Sequence, residues 1–212
     1  MNSYRVPSSV ALMACAASLA LTLSACGSDT ESTSADSTSS TSSVAEVLTP
    51  PIAETATESA TCPTAAAPDT GTPEWTFSGG TGSIAVTGST DSTAPVVTVD
   101  GPFSVAETQV QTLTAGDGPV VAPTATVSVC YMGVNGRDGS VFDNSYERGA
   151  PVDFPLDGVV PGFQKAISGQ KVGSTVAVAM TSADGYPQGQ PAAGIQPGDS
   201  LIFAIKILDA TN

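Results

Sequence analysis

The residues of this chain that could do chemistry form an ordered series between residues 127 and 212. The series consists of a tyrosine-glycine strand, an F-D-x₄-R turn, a V-V-P-G-F segment and a D-G-Y loop, set among aliphatic stretches. The chain contains no histidine, so it lacks the side chain that most often acts as a general acid or base. Most familiar hydrolase sites are therefore excluded, and the order of these pieces says more about function than any single motif.

The formal net charge of −14, with only 6 basic residues, limits the partners of the chain. Nucleic acid and anionic lipid surfaces are both bound through clustered Lys or Arg, which this composition does not supply. We therefore expect no nucleic acid, and partners that are neutral, apolar or basic.

Alternating apolar and polar residues indicate the elements that must position the series. Period-two stretches over 109–113, 126–132, 175–180 and 200–208 predict half-buried antiparallel strands. Within 126–132 the alternation places Tyr131 inward and Cys130 outward. The i, i+3, i+4 spacing of apolar residues over 162–168 predicts one short helix. Strands with a single covering helix make an α+β domain, in which residues 185–198 form a long loop between two strands.

The ordered motifs resemble the FKBP-type peptidyl-prolyl cis-trans isomerase family over about half of the chain. The resemblance implies the family fold, an antiparallel sheet of about five strands curved around one short helix. The matching pieces, in chain order, are Tyr131-x-Gly133, Asp138-Gly139-x-x-Phe142-Asp143-x-Ser145, Arg148-Gly149-x-Pro151-x-x-Phe154, Val159-Val160-Pro161-Gly162-Phe163, Gly169-x-x-Val172-Gly173, Asp184-Gly185-Tyr186 and Ile195-x-Pro197-x-x-x-Leu201-x-Phe203.

The resemblance also implies a binding pocket and a role for each residue in it. Phe163 is expected as its floor, and Tyr186 and the backbone N–H of Ile195 are expected to hold substrate carbonyls. Asp143 is expected to accept a hydrogen bond at the rim. The full expected set of catalytic residues is Tyr131, Phe142, Asp143, Val159, Val160, Phe163, Tyr186, Ile195 and Phe203, with Arg148 (paired with Asp143), Val152 and Phe154 supporting the rim.

Two positions depart from the family pattern: Val152 stands where many members have an aromatic residue, and Pro187 stands where a glycine is expected after the loop tyrosine. The segment between Phe154 and Val159 is also shorter than in some members, which predicts a more open wall. Without the motif order, each apolar member of the site would be interpreted as ordinary core packing.

The function implied is rotation about X-Pro bonds in exported proteins, with no metal or cofactor. The expected partners are proline-containing polypeptides and a macrolide inhibitor, and we expect a monomer. A catalytically silent module that only binds proline-containing segments of an envelope partner is an alternative, which the departures at Val152 and Pro187 would favour. A structural or adhesive envelope lipoprotein is a third reading, and it predicts no apolar cleft near Phe163.

The N-terminal region predicts export and a lipid anchor. Residues 1–25 have the pattern of a signal peptide, ending in Leu-Ser-Ala before Cys26, which resembles the lipobox of bacterial lipoproteins. Lipidated Cys26 would anchor the protein to the outside of the cell membrane. An ordinary signal peptide with an incidental cysteine is the alternative. We then expect a Ser/Thr/Ala/Pro-rich disordered tether over 26–74, a short β extension over 75–99 and the FKBP-like domain over 100–212.

The four cysteines divide by position. Cys15 leaves with the signal peptide and Cys26 would carry lipid, so Cys62 and Cys130 remain for an oxidising compartment. A disulfide between them is the favoured interpretation, and two unrelated thiols are the alternative. Such a bridge would pin the chain near residue 75 to the face of the sheet opposite the pocket, so that the free tether ends near residue 60.

Overall fold

Two antiparallel sheets and two short α-helices form the part of the chain that the computed structural model describes, residues 61–68 and 71–211. The first sheet has the order β1-β2-β3 and consists of β1 (Trp75–Ser78), β2 (Thr81–Thr87) and β3 (Val96–Ser104). The second sheet consists of β4 (Gln109–Thr114), β5 (Thr126–Asn135), β6 (Val141–Asn144), β7 (Val152–Pro155), β8 (Thr175–Met180) and β9 (Leu201–Thr211). Its strand order is β4-β8-β9-β5-β6, and β7 also pairs with β5. The helices are α1 (Ser145–Arg148) and α2 (Pro161–Ile167), and single 3₁₀ turns lie at Leu156–Gly158, Ser182–Asp184 and Pro191–Ala193.

The α+β class and the strands predicted from period-two alternation are confirmed, as β4, β5, β8 and β9. Strands β5 and β9 run beyond their predicted ends because they pair with each other along the whole of β5, from Thr126 opposite Thr211 to Asn135 opposite Leu201. The sheet gains the short strands β6 and β7, which lie in the turn regions of the motif series and carry too few residues to show an alternation.

Helix α2 forms where the apolar spacing predicts it. Pro161 opens the helix at a position where its missing N–H is not needed and its fixed φ suits the first turn. Phe163, Ala166 and Ile167 are buried against one face of the second sheet. Gly169, with φ +81, follows the helix and turns the chain back, a conformation that favours glycine.

The expectation of half-buried strands is wrong for β8, in which every residue is buried. Val176 and Val178 face the core under α2, whereas Ala177 and Ala179 face a second core. The second core exists because the β1-β2-β3 sheet covers the other face of the second sheet. Alternation in β8 therefore separates large from small apolar side chains, and both faces are shielded from water.

The β extension is longer than the expected span of 75–99. A third strand, β3, continues to Ser104, so the boundary predicted at residue 99 falls inside it. Ile84, Val86 and Phe103 of this extension are buried against the second sheet. The extension is thus one layer of the folded unit, and it packs on the face of the second sheet opposite α2.

Residues 61–68 are held to the domain, which corrects the expected end of the tether at residue 74. A disulfide joins Cys62 to Cys130 with an S–S distance of 2.01 Å. The Cys62 N–H also donates to the Gly149 carbonyl over 3.3 Å, and the Ala94 N–H donates to the Ala65 carbonyl over 2.8 Å. The predicted signal peptide, Cys26 and the tether up to residue 60 lie outside the described residues.

Candidate active site

A cavity of about 360 Å³ lies between helix α2 and the second sheet. It is lined by Tyr131, Phe142, Asp143, Phe154, Gly158, Val159, Val160, Phe163, Tyr186 and Phe203. The fold therefore brings together every residue that the sequence predicts for the catalytic set except Ile195, and it adds Phe154, which was expected at the rim. Residues far apart in the chain meet here because β5, β6, β7 and β9 are neighbours in one sheet.

Strand pairing sets the aromatic wall of the cavity. In the β5–β9 ladder Tyr131 lies opposite Ile205 and Gly133 lies opposite Phe203. Positions two apart in a strand point to the same face, so Tyr131 and Phe203 face the cavity together. A Cβ at Gly133 would lie 2.6 Å from a ring carbon of Phe142 and 2.9 Å from one of Phe203. Glycine at this position lets two rings approach the strand backbone.

Phe163 forms the floor of the cavity, as expected. Its ring is in edge-to-face contact with the rings of Tyr131, Phe154 and Phe203, at centroid distances of 5.7, 5.3 and 5.2 Å. The edge-to-face arrangement suits the ring quadrupoles and fixes each ring relative to the others. The floor is rigid because it is carried by a helix packed on the sheet rather than by a loop.

One carboxylate lies in the cavity lining, and it is held on two sides. The Tyr131 hydroxyl donates a hydrogen bond to one oxygen of Asp143, and the Arg148 guanidinium donates to the other over 2.7 Å. The side chains of Arg148 and Asp143 are 49% and 39% exposed, so the ion pair contributes little to stability. Its effect is geometric: it orients the carboxylate that in turn fixes the tyrosine ring.

These contacts also set the protonation states of the two groups. Burial raises the pKa of Tyr131 to about 12, and the hydrogen bond and charge of Asp143 act in the same direction. Burial would raise the pKa of Asp143, but the hydrogen bonds from Tyr131 and Arg148 outweigh it and hold that pKa below its ordinary value. At neutral pH Asp143 is therefore ionised and Tyr131 is neutral.

Local capping places Arg148 beside Asp143. Asn144 caps helix α1 by accepting a hydrogen bond from the Tyr146 N–H over 3.0 Å. Gly149 ends the helix at φ +67, in the left-handed region that glycine adopts without strain. A single helical turn between these two caps brings the arginine back to the strand that carries Asp143.

The role expected for the Ile195 N–H is corrected by its hydrogen bond. That N–H donates to the Gln190 carbonyl over 3.1 Å, and the Gln190 N–H donates back to the Ile195 carbonyl over 2.8 Å. The Ile195 side chain is buried in the core, apart from the cavity lining. The reciprocal pair closes the loop on itself, so the donor is engaged within the protein.

The Val160 N–H is a backbone donor in the cavity lining. Val160 lines the cavity and is the N-cap residue of α2. Within residues 61–68 and 71–211 its N–H has no hydrogen-bond acceptor, as is common for the first N–H groups of a helix. The Tyr186 hydroxyl likewise has no hydrogen-bond partner in the described part of the chain. The sequence signal for the backbone donor was Pro161, which marks the first position of the helix.

Two further residues differ from expectation. Val152 pairs with Val129 in the β7–β5 ladder and is not part of the cavity lining. Gly158, which sequence reasoning missed, does line the cavity. It ends the 3₁₀ turn between β7 and α2, and its position immediately before the V-V-P-G-F segment was the available signal.

Within the described residues no group of three or more His, Cys, Asp or Glu side chains is placed to hold a metal ion. The helices in that same part of the chain are all too short to cross a membrane.

Comparison with known proteins shows which families and structures the chain is similar to. The family model for FKBP-type peptidyl-prolyl cis-trans isomerase matches residues 118–208. A probable FKBP-type peptidyl-prolyl cis-trans isomerase of Haemophilus influenzae is 38% identical over 95 residues, which are 45% of this chain and 39% of that protein. The crystal structure of FkpA from Escherichia coli is 35% identical, with a TM-score of 0.45 and coverage of 49% of this chain and 48% of that one.

A shorter relative is covered almost completely. The FK506-binding protein of Streptomyces anulatus is 33% identical over 117 residues, which are 54% of this chain and 94% of that protein. The chain thus spans well under two thirds of the Haemophilus relative but nearly all of the Streptomyces one. Because the chain is 33% identical to this relative over 94% of its length, and the family model matches residues 118–208, the chain belongs to the FKBP-type peptidyl-prolyl cis-trans isomerase family.

Proposed function

We propose that this protein accelerates cis-trans isomerisation of X-Pro peptide bonds in polypeptides. The observation that carries the proposal is the aromatic cavity over Phe163, which is apolar, partly enclosed and large enough for a proline ring with its neighbouring backbone. Its one carboxylate, Asp143, is tied by two hydrogen bonds. Such a site binds and orients a substrate, and the reaction needs no proton to be removed.

The barrier to this reaction comes from amide resonance. Rotation about an X-Pro bond takes tens of seconds without a catalyst because the planar amide must give up its partial double bond. The planar amide is strongly polar and well solvated, whereas the twisted amide has lost much of its charge separation. Transfer from water into the apolar cavity therefore disfavours the planar ground state more than the twisted transition state.

Two donors would orient the chain on either side of the rotating bond. Val160 and Tyr186 line the cavity, and the Val160 N–H and the Tyr186 hydroxyl have no hydrogen-bond partner in the described part of the chain. Substrate carbonyls would accept from both and hold the flanking backbone while the proline ring stays against Phe163. Lowering the barrier by about 4 kcal/mol would accelerate rotation about a thousandfold, which pocket desolvation and two oriented hydrogen bonds can supply.

The Tyr131–Asp143–Arg148 arrangement supports the site without taking part in proton transfer. Asp143 stays ionised and Tyr131 neutral at neutral pH, so the wall keeps one geometry across the working range. A fixed wall reduces the ordering that substrate binding must bring about.

The proposed place of action is outside the cytoplasm, on exported proteins as they fold. The signal-like residues 1–25, the lipobox-like sequence before Cys26 and the Cys62–Cys130 disulfide support this proposal, since disulfides persist in oxidising compartments. Replacing Cys26 with alanine should release the protein from the membrane fraction. Retention of that variant on membranes would contradict lipid anchoring at Cys26.

A macrolide of the FK506 type is the proposed inhibitor. The support is the Streptomyces relative, an FK506-binding protein, together with an aromatic floor and two free donors at the same site. Competition between the macrolide and a proline peptide for the cavity would be visible as loss of isomerase activity at stoichiometric inhibitor.

The test of the proposed function is protease-free isomerisation of a Phe-Pro or Leu-Pro peptide, followed by NMR exchange. We expect the purified protein to accelerate exchange and the Tyr186→Phe variant, which loses only one hydroxyl of the cavity, to do so several-fold less. Tyr146→Phe is the matched control, because its hydroxyl bonds to Ser89 over 2.9 Å and does not line the cavity.

The same samples separate the alternative of a silent binding module. A folded protein that shifts the NMR signals of the peptide without accelerating exchange would be a proline-binding module. A folded protein that does neither would refute both readings of the cavity.

A further inference from the structure

The loop that carries Tyr186 is the long connection between β8 and β9, residues 181–200, called here the β8–β9 loop. It has two short 3₁₀ turns, at Ser182–Asp184 and Pro191–Ala193, and is closed by the reciprocal hydrogen bonds between Gln190 and Ile195. Such a loop has no strand ladder to hold it, so its position must be set by specific contacts at its ends.

One of those contacts is a buried carboxylate. The side chain of Asp199 is only 7% exposed. It accepts hydrogen bonds from Asn135 Nδ2 and the Gln196 N–H, each over 2.8 Å, and from Arg137 Nε over 3.3 Å. Asn135 is itself buried, at the end of β5. A buried carboxylate is stable only when hydrogen-bond donors surround it. Asn135, Arg137 and Asp199 therefore form one hydrogen-bonded cluster.

Two sets of hydrogen bonds lie on either side of Asp199 in the loop. Arg137 donates from Nη2 to the Gly194 carbonyl over 3.1 Å, next to Ile195. On the other side of Asp199, the Gly198 N–H donates to Ser182 Oγ over 3.1 Å, and that hydroxyl donates to the Tyr186 carbonyl over 3.3 Å.

The first contact ties the descending limb at Gly194 to Arg137, just after the end of β5. The second links the two limbs of the loop to each other, from Gly198 beside Asp199 through Ser182 to Tyr186. No residue of the cluster lines the cavity.

We propose that Asp199 is a positioning residue for substrate binding: with Arg137 and Asn135 it holds the β8–β9 loop in the conformation that presents the Tyr186 hydroxyl to the cavity. The inference rests on the proposed function for its substrate, a proline-containing peptide. Without the cluster the loop samples other conformations, and the apparent affinity for the peptide falls by the fraction of molecules that remain competent.

The proposal predicts a split between the two kinetic constants. In Asp199→Asn the carboxamide keeps the size of the side chain but turns a donor toward Asn135 and Arg137. We expect KM for a Phe-Pro peptide to rise about five- to tenfold and kcat to stay within about twofold, because the peptide still selects the competent loop once it is bound.

A nearby charge change supplies the matched control. Asp138 pairs with the same arginine over 2.8 Å, is 42% exposed and has no hydrogen bond to the β8–β9 loop. Asp138→Asn, like Asp199→Asn, removes one negative charge that lies beside Arg137. We expect Asp138→Asn to leave KM unchanged. Equal KM values for wild type and Asp199→Asn, or equal increases in both variants, would overturn the proposal.

A second readout keeps the proposal separate from the proposed function and from global stability. Amide hydrogen exchange of Gly189 and Ile195, whose N–H groups donate to Tyr186 and Gln190, reports loop opening directly. We expect faster exchange there in Asp199→Asn, with unchanged exchange in β5 and β9. An inactive wild type would refute the isomerase assignment, while unchanged exchange at the loop would refute the positioning role whether or not the protein is an isomerase.

Discussion

Replacing Phe163 with leucine tests the role of the aromatic floor in turnover. Phe163 is 5% exposed and has edge-to-face contacts with three rings at 5.2 to 5.7 Å. Each such pair contributes about 0.5 kcal/mol or more beyond its buried area, so with imperfect repacking the free energy of unfolding should fall by about 2 kcal/mol. A domain with a typical stability of about 5 to 15 kcal/mol stays folded after that loss.

The expected effect on turnover follows from contact area. A proline ring against the phenyl ring loses on the order of 50 Å² of apolar contact when the side chain becomes leucine, which at about 25 cal/mol per Å² is roughly 1.2 kcal/mol. The value of kcat/KM should therefore fall about five- to tenfold. The measurement is NMR exchange of a Phe-Pro peptide, with a urea unfolding curve recorded on the same sample to give the folded fraction.

Ile167→Val is the matched control, on the same helix. Ile167 is fully buried in the same core but does not line the cavity. Its substitution should lower the free energy of unfolding by about 1 kcal/mol and leave kcat/KM unchanged. The reasoning is refuted if Phe163→Leu retains full kcat/KM while folded, or if both variants lose activity in proportion to their stability.

Three further predictions concern pH, the disulfide and a glycine. Because the pKa of Asp143 is lowered in the folded protein, ionised Asp143 stabilises the fold above about pH 4, and this stabilisation is lost as pH falls through the folded pKa. Because the pKa of Tyr131 is raised to about 12, neutral Tyr131 stabilises the fold fully below about pH 10, and this stabilisation is lost as pH rises toward 12. We therefore expect kcat/KM to be flat from about pH 5 to pH 9 in peptide assays across that range, and a bell centred near pH 7 would contradict this site. Replacing Cys62 and Cys130 together by alanine removes a link between residues 68 positions apart and should lower the free energy of unfolding by about 4 kcal/mol in urea titration; an unchanged midpoint would show that the bridge does not stabilise the domain. Gly133→Ala places a methyl carbon 2.6 Å from the nearest ring carbon, so we expect a loss of about 1 to 3 kcal/mol and a lower kcat/KM, and wild-type values of both would show that the rings move freely.

Local pattern in the sequence was sufficient for much of the fold. The strands β4, β5, β8 and β9 and helix α2 were predicted within a few residues because period-two and i, i+3, i+4 spacings are written in neighbouring residues. The motif order, interpreted through a family resemblance, identified Phe163, Tyr131 and the Asp143–Arg148 pair, which the structure brings together.

The predictions from sequence were wrong where the burial or attachment of a segment depends on distant parts of the chain that pack against it. Strand β8 shows alternation between large and small apolar residues, and a chain read in isolation cannot tell a small residue facing solvent from one facing a second sheet. Only the packing of β1, β2 and β3 on the far face decides that Ala177 and Ala179 are buried. Composition alone put the segment at 61–68 in the tether, whereas the cysteine positions predicted the bridge that attaches it. The backbone hydrogen bonds of Cys62 and Ala65 to distant residues carry no signal in the local sequence.

The residues of the chain by themselves determined which side chains are available: no histidine, a set of aromatic rings, and Asp143 followed by Arg148 in the motif order. Tertiary structure alone decided which backbone donors are free. The Ile195 N–H donates to the Gln190 carbonyl, whereas the Val160 N–H has no acceptor in the described part of the chain. The physical reason is that a hydrogen bond depends on the position of its acceptor in space, and the acceptors here are set by loop closure and by the start of a helix.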